Sequence, residues 1–77
     1  MAEVAYFLVS LDRGTPAAAA RQIRQIDGVV DAHVTLGDYD IVAVAEIEGT
    51  KGFPVIAAAV KRVDGVAKVA TCVVVRP

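Results

Sequence analysis

The chain has little that would mark an enzyme or a nucleic-acid binder. It holds one cysteine, Cys72, which excludes an internal disulfide and suits a reducing compartment. Charge of neither sign dominates: eight Lys and Arg stand against nine Asp and Glu, for a formal net charge of −1. The basic footprint of a nucleic-acid-binding surface is missing, so direct nucleic-acid binding is not expected. No apolar run is long enough to span a bilayer. Met1 leads straight into a strand pattern containing Glu3 and Asp12, so no signal peptide is expected and the expected address is cytoplasmic. The six glycines form no GxGxxG or Walker phosphate loop, and no CxxC pair is present. No cofactor and no metal site is expected.

What is there is apolar residue and repetition. Hydrophobic residues make up 56% of the 77, above the share usual for a soluble domain. One domain spanning residues 1–77 is expected, small enough that its own core is marginal. Part of the apolar surface should therefore lie against a second copy of the chain. Ile26-Asp27-Gly28-Val29 recurs as Val63-Asp64-Gly65-Val66, 37 positions later. An alanine-rich stretch preceded by threonine comes before each, and a β-branched run follows each. The layout is strand–helix–strand, twice.

Glu3 to Asp12 alternates, with Ala5, Phe7, Val9 and Leu11 on one side and Val4, Tyr6, Leu8 and Ser10 on the other. Thr15 suits an N-cap and Pro16 a first helical position, which predicts a helix over Ala17 to Ile26. Gly28 is placed to stop it. Val29 to Leu36 reads as strand two, Gly37-Asp38-Tyr39 as a short hairpin connection, and Asp40 to Glu48 as strand three. Gly49 and Thr50 open the second helix, with Pro54 in its first turn and Phe53, Ile56, Val60 and Val63 as its core stripe. Gly65 ends it, and Val66 to Arg76 is strand four.

Two such units in tandem predict an α+β fold: a ferredoxin-like βαββαβ sandwich, with a four-stranded antiparallel sheet and two helices on one face. Strands one and three should be central. Phe7, Val9, Val30, Val34, Ile41 and Ile47 are expected to meet the helices. That leaves Tyr6, Leu8, Val42 and Val44 at the centre of the opposite face, with Ala70, Cys72 and Val74 extending the patch on strand four. His33, Asp31, Thr35, Glu46 and Lys68 lie at its margin. An apolar centre with a polar rim describes an interface. A homodimer with stacked sheets is expected, with Tyr6, Leu8, Val42, Val44, Cys72 and Val74 at its contact.

The chemistry-bearing residues are few. His33 is the lone imidazole and a candidate general base; no Ser or Cys stands at a recognisable spacing, which favours a surface or interface role. Cys72 lies in an unbroken β-branched run with no cation as a sequence neighbour to activate it, and reads as a buried, inert thiol. RNA recognition on this fold wants aromatics on both central strands, and strand three has none. Acylphosphatase-like chemistry would want an Asn, and the chain has none. Asp38 and Asp40 flank Tyr39 at a hairpin tip. They read either as turn chemistry or as contacts to a small ligand. A free amino acid, with a carboxylate for backbone donors and an ammonium for an Asp, would suit the second reading.

These residues together resemble the ligand-binding domain of the Lrp/AsnC transcription regulators, the RAM domain (regulation of amino-acid metabolism). The matching run begins at Asp27-Gly28-Val29 and passes through Gly37-Asp38-Tyr39-Asp40, which looks like the family's Gly-x-Tyr-Asp hairpin. It continues through the apolar third strand and Phe53, and closes with Gly65-Val66 and Thr71 followed by Val73-Val74-Val75. The chain departs from the pattern at Leu36, where a small hydroxyl residue is common, and at Val69, where Thr or Ser is frequent. The resemblance implies a dimeric α+β barrel type of assembly, with dimers building a higher oligomer and amino acids held between them. It implies ligand-binding roles for Gly37, Asp38, Tyr39 and Asp40, with Thr71 as a polar contact. Full-length members carry an N-terminal helix-turn-helix. This chain begins at the sensing domain, so it is expected to be a stand-alone member that acts on a full-length regulator by mixed oligomerisation.

Three readings follow: a non-enzymatic amino-acid sensing and assembly module; a small dimeric α+β barrel enzyme, such as a monooxygenase or isomerase, using His33 and Tyr6; and a ligand-free oligomeric scaffold. The enzyme reading requires a deep pocket between sheet and helices of one subunit. The sensor reading requires a shallow one that a neighbouring chain shares.

Overall fold

The computed structural model describes residues 2–75. Its elements run β1 (Ala2–Leu11), α1 (Pro16–Arg24), β2 (Val29–Val34), β3 (Ile41–Glu48), α2 (Phe53–Lys61) and β4 (Val66–Val73). The predicted end of the last strand at Arg76 lies outside the described residues. The strands form one antiparallel sheet in the order β2-β3-β1-β4, with β1 and β3 central as the pattern requires. This is the ferredoxin-like sandwich. The repeat is carried into space: a shift of 37 positions lays α1 onto α2 from end to end.

Local chemistry sets the helix ends. Thr15 has extended backbone and accepts a hydrogen bond from Ala18 N at 3.3 Å, while Pro16 fills the first helical position. The second helix starts later than Thr50, at Phe53, behind Gly52 and without a side-chain cap. The helices also stop short of the two Asp-Gly pairs. Val29 N bonds Ile26 O at 3.0 Å and Val66 N bonds Val63 O at 3.1 Å, so Gly28 and Gly65 are each the third residue of a tight turn rather than a helix cap. Both have positive φ, +94° and +90°, which that turn position demands and glycine tolerates. A side chain at Gly65 would also collide with the carbonyl of Arg13. The two ends meet there: Asp12 N bonds Gly65 O at 2.9 Å, and Arg13 Nη2 donates to Asp64 Oδ1 at 2.8 Å. That bond, with the attraction of Asp64 and Asp12, holds the exposed Arg13 guanidinium above the ordinary arginine pKa.

The core lies on one side of the sheet. Ala5, Phe7, Val9, Ile41, Ala43 and Ala45 are wholly buried beneath Ile23 of α1 and Phe53, Ile56 and Val60 of α2. Phe7 and Phe53 meet edge to face, with centroids 6.4 Å apart. Two expected core residues are not in it. Val30 and Val34 are half exposed. The β2–β3 register slips between Val29 and Asp31, so Val30 sits in a bulge and Val29 packs on the core in its place. Val34 pairs with Ile41 at the end of the edge strand, and only Ala32 of β2 is fully covered.

The other side of the sheet carries no helix. Register places Tyr6 opposite both Val44 and Cys72, and Leu8 opposite both Val42 and Ala70. Val74 N bonds Val4 O at 2.8 Å, which continues β4 along β1 beyond its last assigned residue. Leu8, Val42 and Val44 are half-buried by their neighbours, and Tyr6 and Val74 are more open. No helix among the described residues is long and apolar enough to cross a membrane.

Candidate functional site

The β2–β3 hairpin is latched to the end of β1. Thr35 N bonds Asp40 O at 2.9 Å, and the Thr35 hydroxyl donates to Tyr39 O at 2.7 Å. Asp40 N bonds Val9 O at 2.8 Å. The Asp40 carboxylate then accepts from Leu11 N at 2.7 Å through Oδ2. The reason lies in the end of the ladder: β1 pairs with β3 only as far as Val9 and Ile41, so the Leu11 amide lies past the last regular pair. A half-buried amide needs a partner, and Asp40 supplies a charged one. Gly37 has φ +142°, so the turn takes the unusual backbone angle expected of it.

Against this latched hairpin the open face forms a recess. A cavity of about 380 Å³ is lined by Leu8 and Ser10 of β1, Asp38 and Tyr39 of the hairpin, and Lys68, Val69 and Ala70 of β4. Ser10 pairs with Lys68 and Leu8 with Ala70, so two adjacent strands make the floor and the hairpin makes a wall. The chemistry offered is mixed: an apolar floor, a hydroxyl, a phenol, a carboxylate and an ammonium. The space between sheet and helices, which an enzyme of the barrel type would need, is occupied by Phe7, Ile23, Ile41, Phe53 and Val60.

Of the five ligand residues expected, the structure brings Asp38 and Tyr39 to the recess. Gly37 sits beside Asp38 in the same turn. Asp40 turns one oxygen inward to Leu11. Thr71 stands opposite Phe7 and therefore on the helix-bearing side of the sheet, away from Leu8 and Ala70. Ser10, Lys68, Val69 and Ala70 were not singled out as site residues. Strand register could have found them, because antiparallel pairing of β1 with β4 puts Ser10 and Lys68 side by side beneath the hairpin. The signal in the sequence was Lys68, the lone charge between Val66 and Val75.

The polar cluster at the far edge is separate. His33 Nε2 lies 3.1 Å from Asp31 Oδ2, and Arg24 Nε lies 3.7 Å from Asp31 Oδ1. Arg24 also donates twice to Ala32 O, at 3.0 and 2.7 Å, tying the end of α1 to β2. His33 is exposed and two strands away from β1. Among the described residues no group of three or more His, Cys, Asp or Glu could hold a metal ion. Cys72 is exposed, not buried as expected, because it stands opposite Tyr6 on the side of the sheet that no helix covers.

Fold and site together define a small sensing-type domain: a four-stranded layer with helices on one side, and on the other an uncovered face with a recess under a hairpin. The Lrp/AsnC ligand binding domain model matches residues 4–77, and the chain belongs to that family. It is thus a ligand-sensing module of a regulatory family. No curated protein matches the chain in sequence. Solved structures match it in fold. TTHA0845 from Thermus thermophilus superposes with a TM-score of 0.86 at 20% identity, over 97% of this chain and 95% of that one. AsnC from E. coli gives 0.83 at 17%, over 97% of this chain and 52% of AsnC. The transcriptional regulator NMB0573 from Neisseria meningitidis, solved as a complex with L-Met, gives 0.77 at 17%, over 96% and 50%. The chain spans about half the length of these two regulators.

Proposed function

We propose that this chain is one amino-acid-sensing and assembly domain, working in the cytoplasm. It binds a free amino acid at the hairpin recess and pairs with a second copy through the open sheet face. The observation that carries the reading is the continuity of the two surfaces. Leu8 floors the recess and also belongs to the apolar row of Tyr6, Leu8, Val42 and Val44. A ligand in the recess therefore lies at the rim of the surface that a second copy covers, so binding and assembly are coupled.

In this reading Asp38 and Tyr39 touch the ligand, Gly37 offers backbone, and Asp40 keeps the hairpin in place through Leu11. Thr71 contributes only through a neighbouring copy, because within one chain it faces the other way. Tyr6, Leu8, Val42, Val44, Cys72 and Val74 form the dimer contact. Burial there contributes about 25 cal/mol per Å² before the costs of association. Dimers assemble further, and a full-length regulator of the family is the partner on which the module acts. The L-Met bound to the Neisseria regulator is a precedent for the ligand class.

The test is a thermal-shift screen of the common amino acids with sedimentation alongside. A ligand that binds only the folded state raises the midpoint in step with its concentration. A rise with one class of amino acid, in a particle larger than the monomer, supports the reading. A flat response from an oligomer leaves a scaffold, and a monomer at high concentration removes the dimer.

A further inference from the structure

The recess holds two unpaired charges of opposite sign. Asp38 enters it from the hairpin and Lys68 from β4. Neither side chain has a hydrogen-bond or ion-pair partner among the described residues, whereas Asp12, Asp31, Asp40 and Asp64 all do. The rest of the lining is Leu8 and Ala70, with the Ser10 hydroxyl and the Tyr39 ring; Val69 also borders the recess, but it stands opposite Val9 and its side chain packs on the core. A ligand with a single charge would satisfy one of the pair and meet a like charge at the other. A zwitterion satisfies both. The lysine stem is long enough to set its ammonium where the ligand requires it.

We propose that Lys68 binds the carboxylate and Asp38 the ammonium of an α-amino acid whose uncharged, apolar side chain lies on Leu8 and Ala70. The assignment rests on the amino-acid reading above and adds what it leaves open: which groups discriminate, and which side-chain class is accepted. Selectivity follows from the same two charges. A second carboxylate on the ligand meets Asp38 or the apolar floor, and a second ammonium meets Lys68 or that floor; each costs desolvation without a partner. At about 380 Å³ the recess is at the small end of ligand pockets and fits one small molecule. Ser10 stands beside Lys68 on the neighbouring strand and adds a donor on the carboxylate side.

The experiment is titration calorimetry on the full chain with L-leucine, L-methionine, L-aspartate and L-lysine. Two analogues join them: leucinamide, which lacks the carboxylate, and 4-methyl-2-oxopentanoate, which lacks the ammonium. The variants are Lys68→Met, Lys68→Arg and Asp38→Asn. Leucine or methionine should bind more tightly than aspartate and lysine. Leucinamide on the native chain, and leucine on Lys68→Met, should each weaken by about tenfold or more, the usual scale for a lost charged hydrogen bond. The oxo acid on the native chain and leucine on Asp38→Asn should weaken alike. Lys68→Arg should restore most of the loss, and leucinamide should bind Lys68→Met no more weakly than it binds the native chain. Both side chains are exposed, so the variants should keep the native circular dichroism, and the analogues test the native chain directly. Undiminished leucine binding by Lys68→Met overturns the assignment and leaves the amino-acid reading standing. Tighter binding of aspartate or lysine overturns the side-chain class. No binding of any of the four amino acids by the native chain overturns both.

Discussion

The two faces of the sheet come from the same strands and are both apolar, yet they are built from residues of different size. Under the helices the central strands carry Ala5, Ala43 and Ala45, with Phe7, Val9 and Ile41 among them, all fully buried. On the open side the same strands carry Tyr6, Leu8, Val42 and Val44, one position out of step. Three of these six covered positions are alanine, where α1 and α2 bring their own bulk down onto the sheet through Ile23, Phe53, Ile56 and Val60. None of the four open positions is alanine, and no helix of the chain reaches them. Close packing needs volume from one side or the other, so the covered face is complete within the chain and the open face expects its complement from outside.

Substitutions at adjacent positions test that contrast. Phe7→Ala should cost about 3–5 kcal/mol, the range for emptying a buried aromatic site, and should leave a domain of this size largely unfolded. Tyr6→Ala, one residue away, should leave the subunit folded and act mainly on self-association. Urea denaturation and sedimentation of both variants separate the effects, and equal losses of folding stability would break the contrast. Next in size is Val44→Asp, which sets an unpaired charge at the centre of the open face. It should weaken the dimer by about 3 kcal/mol, roughly a hundredfold or more, with the monomer still folded. An unchanged oligomer after that substitution removes the face from the interface. Asp40→Ala, at the boundary between the two faces, deprives the Leu11 amide of its charged partner. About 1–3 kcal/mol should be lost in thermal unfolding, and the recess response should fall with it. Smallest is His33→Ala, which removes an exposed pair with Asp31 and should shift stability by no more than about 0.5 kcal/mol. A larger shift would mean that the polar rim of the open face is also engaged.

Part of the recess lining was legible before the fold was known, and the reason differs by residue. Gly37-Asp38-Tyr39-Asp40 stands out because a turn between two alternating strands restricts composition locally. Thr15-Pro16 is legible for the same reason, whereas Gly28 and Gly65 read as helix stops until the separate turns past the helix ends are seen. The roles of Asp40 and Lys68 were not legible. Asp40 looks like a ligand residue until β1 is seen to run past its last pair with β3, leaving the Leu11 amide that claims it. Lys68 looks like a rim charge until β4 is laid beside β1 and the hairpin folds over the pair. Val30 failed as a core residue because one extra residue in an edge strand breaks the alternation of sides at that point, and periodicity carries no mark of that insertion.

Alternation, the 37-residue repeat, the turn residues and the N-cap threonine, read along the chain alone, determined the element order and the antiparallel four-stranded layer. These are preferences of each residue for its own backbone and its nearest neighbours. Tertiary structure alone decided where edge-strand register slips and which polar groups find partners within the chain. Those outcomes depend on contacts between residues some 30 to 60 positions apart, such as Asp40 with Leu11 and Ser10 with Lys68, and no local preference encodes them.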